Sequence, residues 1–277
     1  MRIHKWLVLS VCAAMGIAGC TSQLEIVAHR GASHLAPENT VASAELAWAK
    51  DADAVEVDVY LSQDKRLVVI HDKTTKRTGG EELEVANTPA ERLRRLDVGS
   101  FKGEAFAGQR IPFLEEIIET VPKGRRLFVE IKCGPEVLSP LENAIEASGK
   151  REQIVIIAFD FETITAAKRL MPDVPAYWLV GTKKDKETEA WIPHDPALVE
   201  DVASSGLDGL NVHYAGVTEE FASRVHEAGL GLYVWTVNDP AEARRLARLG
   251  VAGITTDRPG WLRRQLSGPL ASPRPGQ

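Results

Sequence analysis

Hydrophobic and polar positions alternate along the chain in a pattern that repeats about eight times. Short runs rich in β-branched and aromatic residues are mostly followed by segments of about 10–15 residues with one apolar helical face. Such alternation predicts an α/β fold, and eight units in about 240 residues predict a TIM (β/α)8 barrel over residues 25–266. The strand candidates are residues 25–31, 54–59, 126–132, 153–160, 175–181, 208–214, 230–237 and 251–257.

One apolar run does not fit these eight units. Residues 66–72, RLVVIHD, follow Val59 after too few residues for a parallel crossover, which predicts the second arm of a hairpin. The hairpin would return His71 close to Asp58. Residues 73 to about 110 contain no further barrel unit and are predicted to be a small insertion after the second strand, placed where it could cover a site.

The two ends of the chain are predicted to lie outside the barrel. A basic start and a short apolar run precede GIAGC, which resembles a bacterial lipobox, so residues 1–19 are predicted to be a lipoprotein signal peptide. Cleavage before Cys20 and a lipid on its sulfur would follow, with residues 20–24 as a linker. An ordinary cleaved signal and an uncleaved anchor remain alternatives. The Pro-, Gly- and Ser-rich residues 267–277 are predicted to be a disordered tail.

Charge and cysteine content narrow the function classes. The net charge of −6 argues against a general nucleic-acid binder, which needs lysine and arginine against phosphates. Of the three cysteines, Cys12 lies in the predicted signal and Cys20 is the predicted lipid site. Cys133 is therefore left alone in the mature protein, so no intrachain disulfide is predicted, and a packed thiol is favoured over a nucleophile.

Acidic side chains occur inside apolar strands. Glu56 and Asp58 are two apart in AVEVDV and therefore share a strand face, whereas the neighbouring valines share the other face. Glu130 stands in the corresponding place in FVEIK. Three carboxylates at one barrel mouth would bind a hard divalent cation, Mg²⁺ or Ca²⁺, through oxygen. A histidine, His29 or His71, stays open as an additional ligand.

Basic residues lie at the ends of the same strands. Arg30 and Lys132 would supply positive charge for an anionic ligand such as a phosphodiester. In the segment PENT, Asn39 or Thr40 can cap the following helix. Glu38 in that segment is a candidate for orienting Arg30.

Two histidines complete a set of groups suited to phosphodiester chemistry. His29 ends the first strand and His71 ends the hairpin. Near neutral pH an imidazole can accept the proton of an attacking oxygen, and an imidazolium can donate one to a leaving alkoxide. The sequence does not decide which histidine takes which part.

These residues lie in motifs that resemble those of the glycerophosphodiester phosphodiesterase family. The ordered set covers nearly all of the predicted mature chain. Ala158, where relatives often carry serine, and His34, at a position that is often small, depart from the pattern and put substrate choice in question. The matching pieces are AHRGASHLAPENT (28–40), EVDVYLSQDKRLVVIHD (56–72), RTGG (77–80), IPFLEEII (111–118), FVEIK (128–132), AFD (158–160), HEAGLGLYVWTVND (226–239) and GVAGITTDRP (250–259).

The resemblance implies a role for each matching position. It implies acid–base catalysis by His29 and His71, phosphate binding by Arg30 and Lys132, and contact of Trp235 with the glycerol side. It implies further that one divalent cation is held by the three acids Glu56, Asp58 and Glu130.

The function implied is hydrolysis of glycerophosphodiesters to glycerol 3-phosphate and an alcohol. Together with the predicted signal, this describes an extracytoplasmic enzyme, periplasmic or at the cell surface, bound to a bacterial membrane through Cys20. A lysophospholipase D-type or sphingomyelinase D-like phosphodiesterase is the first alternative. A lipoprotein that binds a ligand without catalysis is the second, since fold does not fix function. The oligomeric state is left open.

Overall fold

Eight parallel strands close into a barrel in the computed structural model, which describes residues 24–267. The first strand pairs with both the second and the last, so the sheet closes and has no free edge among these eight. The predicted TIM barrel is confirmed. The strands are β1 (Glu25–Ala28), β2 (Ala54–Leu61), β3 (Leu67–Val69), β4 (Arg126–Ile131), β5 (Ile154–Ala158), β6 (Ala176–Val180), β7 (Gly209–His213), β8 (Gly231–Trp235) and β9 (Gly253–Thr256).

A helix follows each barrel strand and packs on the outside of the sheet. The α-helices are α1 (Val41–Ala49), α2 (Lys76–Gly79), α3 (Ala90–Leu93), α4 (Leu114–Thr120), α5 (Leu138–Ser148), α6 (Phe161–Leu170), α7 (Ala197–Ser205), α8 (Glu219–Glu227), α9 (Pro240–Arg248) and α10 (Pro259–Ser267). Single turns of 3₁₀ helix cover Val85–Asn87, Glu104–Phe106, Pro135–Val137, Arg151–Gln153 and Tyr214–Gly216.

Alternation along the strands divides the apolar side chains between two layers. Val55, Val57 and Val59 of β2 point outward into the core between the sheet and its helices. Inside the barrel, a smaller cluster that includes Phe128 and Tyr233 fills the space on the amino-terminal side of the predicted acids. The carboxylates therefore have apolar packing beneath them and open space only toward the carboxyl ends of the strands.

A polar cluster closes the amino-terminal end of the barrel. The Arg126 guanidinium donates to Glu25, with an Nε–Oε1 distance of 2.9 Å, and the Tyr233 hydroxyl donates to the same carboxylate at 2.9 Å. Glycines at 231 and 253 make room for this packing, because a Cβ at Gly253 would lie 2.6 Å from the Tyr233 ring. We call this cluster of Glu25, Arg126 and Tyr233 the barrel floor.

Strand β3 returns antiparallel to β2, as predicted for the hairpin. Val69 pairs with Val59, and the Ile70 amide donates to the Asp58 carbonyl at 3.0 Å, which places the next residue at the barrel mouth. The insertion, residues 73–110, contains only short helices and packs on a separate apolar cluster. That cluster includes Val68, Ile70, Leu83, Val85, Leu93 and Ile111.

The predictions for the chain ends fall mostly outside the described residues. The signal peptide and Cys20 precede residue 24, and residues 268–277 follow the described part. Ser267, which the sequence assigned to the tail, is the last residue of α10. Between residues 24 and 267, no helix combines the length and apolar character needed to cross a membrane.

Candidate active site

Residues from most of the barrel strands meet in a cavity of about 190 Å³ at the carboxyl ends of the strands. The structure brings together the predicted residues from β1, β2, β4, β8 and the hairpin. Asp58 lies directly beneath, fully buried, and Glu38 lies behind Arg30. The predicted residues that line the cavity are His29, Arg30, Glu56, His71, Glu130, Lys132 and Trp235.

Three buried carboxylates form the base of the cavity. Strands β2 and β4 run parallel with Asp58 opposite Glu130, and Glu56 lies one inward position earlier on β2. One oxygen from each of the three lies within 4.8 Å of the others. Glu56 Oε1 and Asp58 Oδ1 are buried and have no hydrogen-bond partner among the described residues. Unpaired buried oxygens are costly, so the donor set fits a cation held by oxygen ligands.

Crowding of these acids changes how readily they ionise. Burial and the charges of Asp58 and Glu130 raise the pKa of Glu56 well above its usual range. Burial and the charge of Asp58 raise the pKa of Glu130 to about 7, although Lys132 opposes this. A cation between the carboxylates would favour their ionised forms and therefore competes with protons for the cluster.

Arg30 connects this acidic cluster to the loop that follows β1. Burial opposes its charge, but Asp58, Glu56 and Glu38 together raise the pKa of Arg30. Its backbone amide donates to Glu56 Oε2 at 2.9 Å, its Nη1 donates to Glu38 Oε1 at 2.9 Å, and its Nε lies 3.3 Å from Asp58 Oδ2. Gly31 follows in the left-handed region, where a Cβ would lie 2.1 Å from the Ser43 hydroxyl of α1.

Lys132 is the second cation at the cavity. Its Nζ lies 2.6 Å from Glu130 Oε1 and 3.6 Å from Asp58 Oδ1, and these charges raise the pKa of Lys132 against the effect of burial. The basic side chains of Arg30 and Lys132 thus lie against three carboxylates. The ammonium remains partly accessible, so it can also contact an anion in the cavity.

Each candidate histidine is held by a carboxylate at the same ring nitrogen. His29 Nδ1 lies 2.7 Å from Asp257 Oδ1, and His71 Nδ1 lies 2.7 Å from Asp72 Oδ1. This arrangement orients each ring and leaves Nε2 as the nitrogen available to a ligand. Burial lowers the pKa of His71, with Asp58 and Asp72 opposing the effect, so the neutral imidazole is favoured near pH 7.

The carboxylates behind the two histidines are themselves tied down. Asn238 Nδ2 donates to Asp257 Oδ2 at 2.6 Å. Burial alone would raise the pKa of Asp257, but its hydrogen bonds, among them the one to His29, outweigh burial and lower the pKa to about 2. Behind His71, Arg77 Nε donates to Asp72 Oδ2 at 2.6 Å. Burial would raise the pKa of Asp72, but the hydrogen bonds to Arg77 and His71 outweigh burial and lower the pKa to about 2. Both carboxylates are therefore ionised at neutral pH.

The sequence left open whether Asn39 or Thr40 caps the following helix, and the structure shows different contacts for the two residues. Thr40 caps α1, accepting a hydrogen bond from the Ser43 amide at 3.1 Å. Asn39 is buried, with its Nδ2 donating to Asp58 Oδ2 at 2.7 Å and its Oδ1 accepting from the Asp58 amide at 3.2 Å. Asn39 therefore fixes one oxygen of Asp58 and leaves the other directed to the cluster.

Aromatic and aliphatic side chains form the opposite wall of the cavity. The rings of Phe159 and Trp235 meet edge-on at 5.5 Å, and the Trp235 indole donates to the Asn211 carbonyl at 3.2 Å. Phe101 and Phe106 of the insertion are not among the residues that line the cavity. One wall therefore suits the carbon skeleton of a ligand, while the other suits its anionic group.

Comparison with known proteins agrees with this geometry. The profile of the Glycerophosphoryl diester phosphodiesterase family matches residues 29–261. The chain belongs to this family. The family resemblance, the barrel and the assignment as a phosphodiesterase enzyme, all predicted from the sequence, are thereby confirmed.

Relatives of this phosphodiesterase family match over most of their length. A glycerophosphodiester phosphodiesterase of Caldanaerobacter subterraneus is 33% identical over 86% of this chain and 95% of its own. One from Bacillus subtilis is 29% identical over 84% of this chain and 83% of its own. The solved structure of an Oleispira antarctica phosphodiesterase, in complex with the product sn-glycerol-3-phosphate, has a TM-score of 0.78 at 26% identity and covers 88% and 97% of the two chains.

Sequence reasoning did not assign several residues of this phosphodiesterase site. Asp257 was visible as an acid at the end of the last strand, but its partner His29 is 228 residues away. Arg77 lies in the insertion, where no helical or strand periodicity indicates which residues lie near the cavity. Cys133, considered as a nucleophile, is partly buried, and burial raises the pKa of its thiol to about 11, so it stays protonated.

Proposed function

We propose that this enzyme uses one divalent cation, Mg²⁺ or Ca²⁺, to hydrolyse glycerophosphodiesters to glycerol 3-phosphate and an alcohol. The observation that carries the proposal is the composition of one cavity. It brings together three buried acids, the basic side chains of Arg30 and Lys132, and two histidines that are each held by a carboxylate. Two of the acids, Glu56 and Asp58, have a buried oxygen without a hydrogen-bond partner among the described residues. The product named for the Oleispira antarctica structure supports the substrate class.

The proposed binding mode follows from the two walls of the cavity. The Arg30 guanidinium and the Lys132 ammonium would contact phosphoryl oxygens, and Trp235 would contact the carbon atoms of the glycerol. A cation held by Glu56, Asp58 and Glu130 would supply positive charge to the phosphoryl group as its negative charge increases. Glu38 keeps Arg30 directed into the cavity through their 2.9 Å contact.

The proton transfers are assigned to the two histidines. His71, whose pKa burial lowers, accepts the proton of the attacking oxygen as that oxygen bonds to phosphorus. His29 donates a proton to the leaving alkoxide as its bond to phosphorus breaks. Asp72 and Asp257 stabilise the imidazolium form at each position.

One observation favours a second substrate class. Phe159 at the edge of the cavity is 46% exposed, and Trp191 and Ile192 in the loop before α7 are also exposed. Apolar side chains at the mouth would suit a lysophospholipid or sphingolipid, with the same chemistry at phosphorus. Glycerophosphodiesters remain the first proposal, because the substrate named for the relatives is of that class.

Release of glycerol 3-phosphate tests the proposal directly. The purified protein with Mg²⁺ or Ca²⁺ is expected to release glycerol 3-phosphate from glycerophosphocholine, detected with a coupled dehydrogenase assay. Lysophosphatidylcholine, tested in parallel by release of choline, should be cleaved more slowly at equal concentration. A folded protein that cleaves only the lysolipid would replace the first substrate class by the second, and one that cleaves neither would overturn the function.

The location is proposed from the sequence of residues 1–20 alone. We propose a periplasmic or surface-exposed enzyme that Cys20 anchors to a bacterial membrane through a lipid. Fractionation of cells that express the full chain should place the wild type with the membranes. The variant Cys20→Ala should move to the soluble or membrane-free fraction, and an unchanged distribution would contradict lipidation at this residue.

A further inference from the structure

Arg77 lies in α2, at the start of the insertion, and belongs to the motif RTGG to which the function above gives no role. Its guanidinium contacts two carboxylates at once. Nε donates to Asp72 Oδ2 at 2.6 Å, while Nη1 and Nη2 donate to Glu38 Oε2 and Oε1 at 2.7 and 2.8 Å. All of its nitrogens are thus used in a planar arrangement that lysine cannot reproduce.

Each of these carboxylates contacts a residue that lines the cavity. Asp72 holds the His71 ring at 2.7 Å, and Glu38 accepts from Arg30 at 2.9 Å. Arg77 therefore lies at the centre of a chain of four contacts that joins the proton acceptor to the phosphate-binding guanidinium. Its own side chain is 46% exposed and lies outside the cavity lining.

We propose that Arg77 is a positioning residue, which fixes the orientation of the His71 ring through Asp72. The insertion would thereby contribute a residue on which catalysis depends. The inference rests on the proposed function. It also predicts that His71 and Arg30 depend on Arg77 to different degrees, because Arg30 has further contacts with Glu56 and Asp58 that remain without Arg77. Loss of Arg77 should therefore affect the proton transfer at His71 more than the binding of phosphate.

The contacts around Asp72 explain this difference. Among the described residues, its side chain has hydrogen bonds to His71 and Arg77. Without Arg77, one carboxylate oxygen turns to solvent and the side chain can leave the orientation that holds His71 Nδ1. The ring then samples several directions, and Nε2 meets the attacking oxygen less often.

Two variants of arginines in the insertion test the inference. Arg77→Ala is expected to lower kcat for glycerophosphocholine roughly 10- to 100-fold, with KM changed less than about threefold. Arg92→Ala is the matched control, because Arg92 is exposed on α3 and paired with Glu81 at 2.9 Å, away from the cavity. It should stay within about twofold of the wild type. Arg77→Lys should be intermediate.

A double-mutant cycle separates positioning from a general effect on folding. Arg77→Ala introduced into Asp72→Asn should lower kcat further by less than about threefold, because both changes act on the same ring. Millimolar guanidinium chloride should restore part of the kcat of Arg77→Ala and none of that lost in Asp72→Asn. Equal activity of Arg77→Ala and Arg92→Ala, or full additivity in the cycle, would overturn the inference. A wild type that releases no glycerol 3-phosphate would instead overturn the proposed function.

Discussion

His71→Ala and His29→Ala are each expected to lower kcat for glycerophosphocholine by roughly 10²- to 10⁴-fold, the usual contribution of a positioned acid or base. Both rings line the cavity and are oriented by a carboxylate at Nδ1. The double variant should lose little more than the worse single variant, because one transition state needs both proton transfers. Steady-state kinetics with a coupled assay measures these losses.

A histidine away from the cavity provides the control. His226 on α8 is exposed and contacts the Gly250 carbonyl at 3.1 Å, so His226→Ala should stay within about twofold of the wild type. Activity above about a tenth of the wild-type value in a folded His71→Ala protein would remove His71 from the proton transfer. The acidic decline of kcat/KM should lie at a lower pH than an ordinary histidine would give, because burial lowers the pKa of His71 and protonation abolishes its role as acceptor.

Chelation of divalent cations is expected to abolish activity, and Mg²⁺ or Ca²⁺ should restore it. Binding should also be visible without substrate, since a cation neutralises three acids that repel one another in the folded protein. At about 100 times Kd the free energy of unfolding rises by about 2.7 kcal/mol, which corresponds to roughly 5–10 °C in Tm. Calorimetry or a dye-based thermal scan measures this shift.

The pH dependence of that shift has a defined sign. In the folded protein the pKa of Glu130 is raised to about 7 from an ordinary value of 4.5, so the cation-free protein holds a proton there at pH 6 and pays electrostatic repulsion at pH 8. The cation must displace that proton at pH 6. The gain in Tm should therefore be larger at pH 8 than at pH 6.

Variants of single acids locate the cation. Asp58→Asn should eliminate the cation-dependent rise in Tm together with activity, because Asp58 supplies a buried oxygen without a hydrogen-bond partner in the described part of the chain. Glu119→Gln, at an exposed position of α4, should retain both. An unchanged thermal shift in Asp58→Asn would place the cation elsewhere, and cation-independent hydrolysis by the wild type would remove the cation from the function.

Local sequence pattern was sufficient where the structure repeats a simple rule. The period-two alternation of Glu56 and Asp58 against three valines gave both the strand and the common direction of the acids. The short spacing between Val59 and the next apolar run gave the hairpin, and with it the position of His71. The acids and histidines of the site followed from these elements, because parallel strands present their carboxyl ends at one edge.

Contacts between distant segments could not be obtained in this way. Asp257 supports His29 only because β1 and β9 are neighbours once the barrel closes. Asn39 reads as a helix cap in sequence, yet it adopts a left-handed backbone conformation that turns its amide to Asp58 while Thr40 takes the cap. Arg77 lies in a helix of only four residues, which is too short to show a periodicity that would relate it to the cavity.

The barrel floor bears on how an anchored molecule would meet its substrate. Strand β1 begins at Glu25, in the floor, and only residues 21–24 separate it from Cys20. Five residue steps join Cys20 to Glu25, and a chain segment of that length can span about 18 Å at most. A lipid on Cys20 would thus hold the floor against its own membrane and turn the mouth toward the aqueous phase. Substrates would arrive by diffusion as water-soluble headgroup diesters. Lipids of the same leaflet would lie next to the barrel floor, at the end of the barrel opposite the cavity.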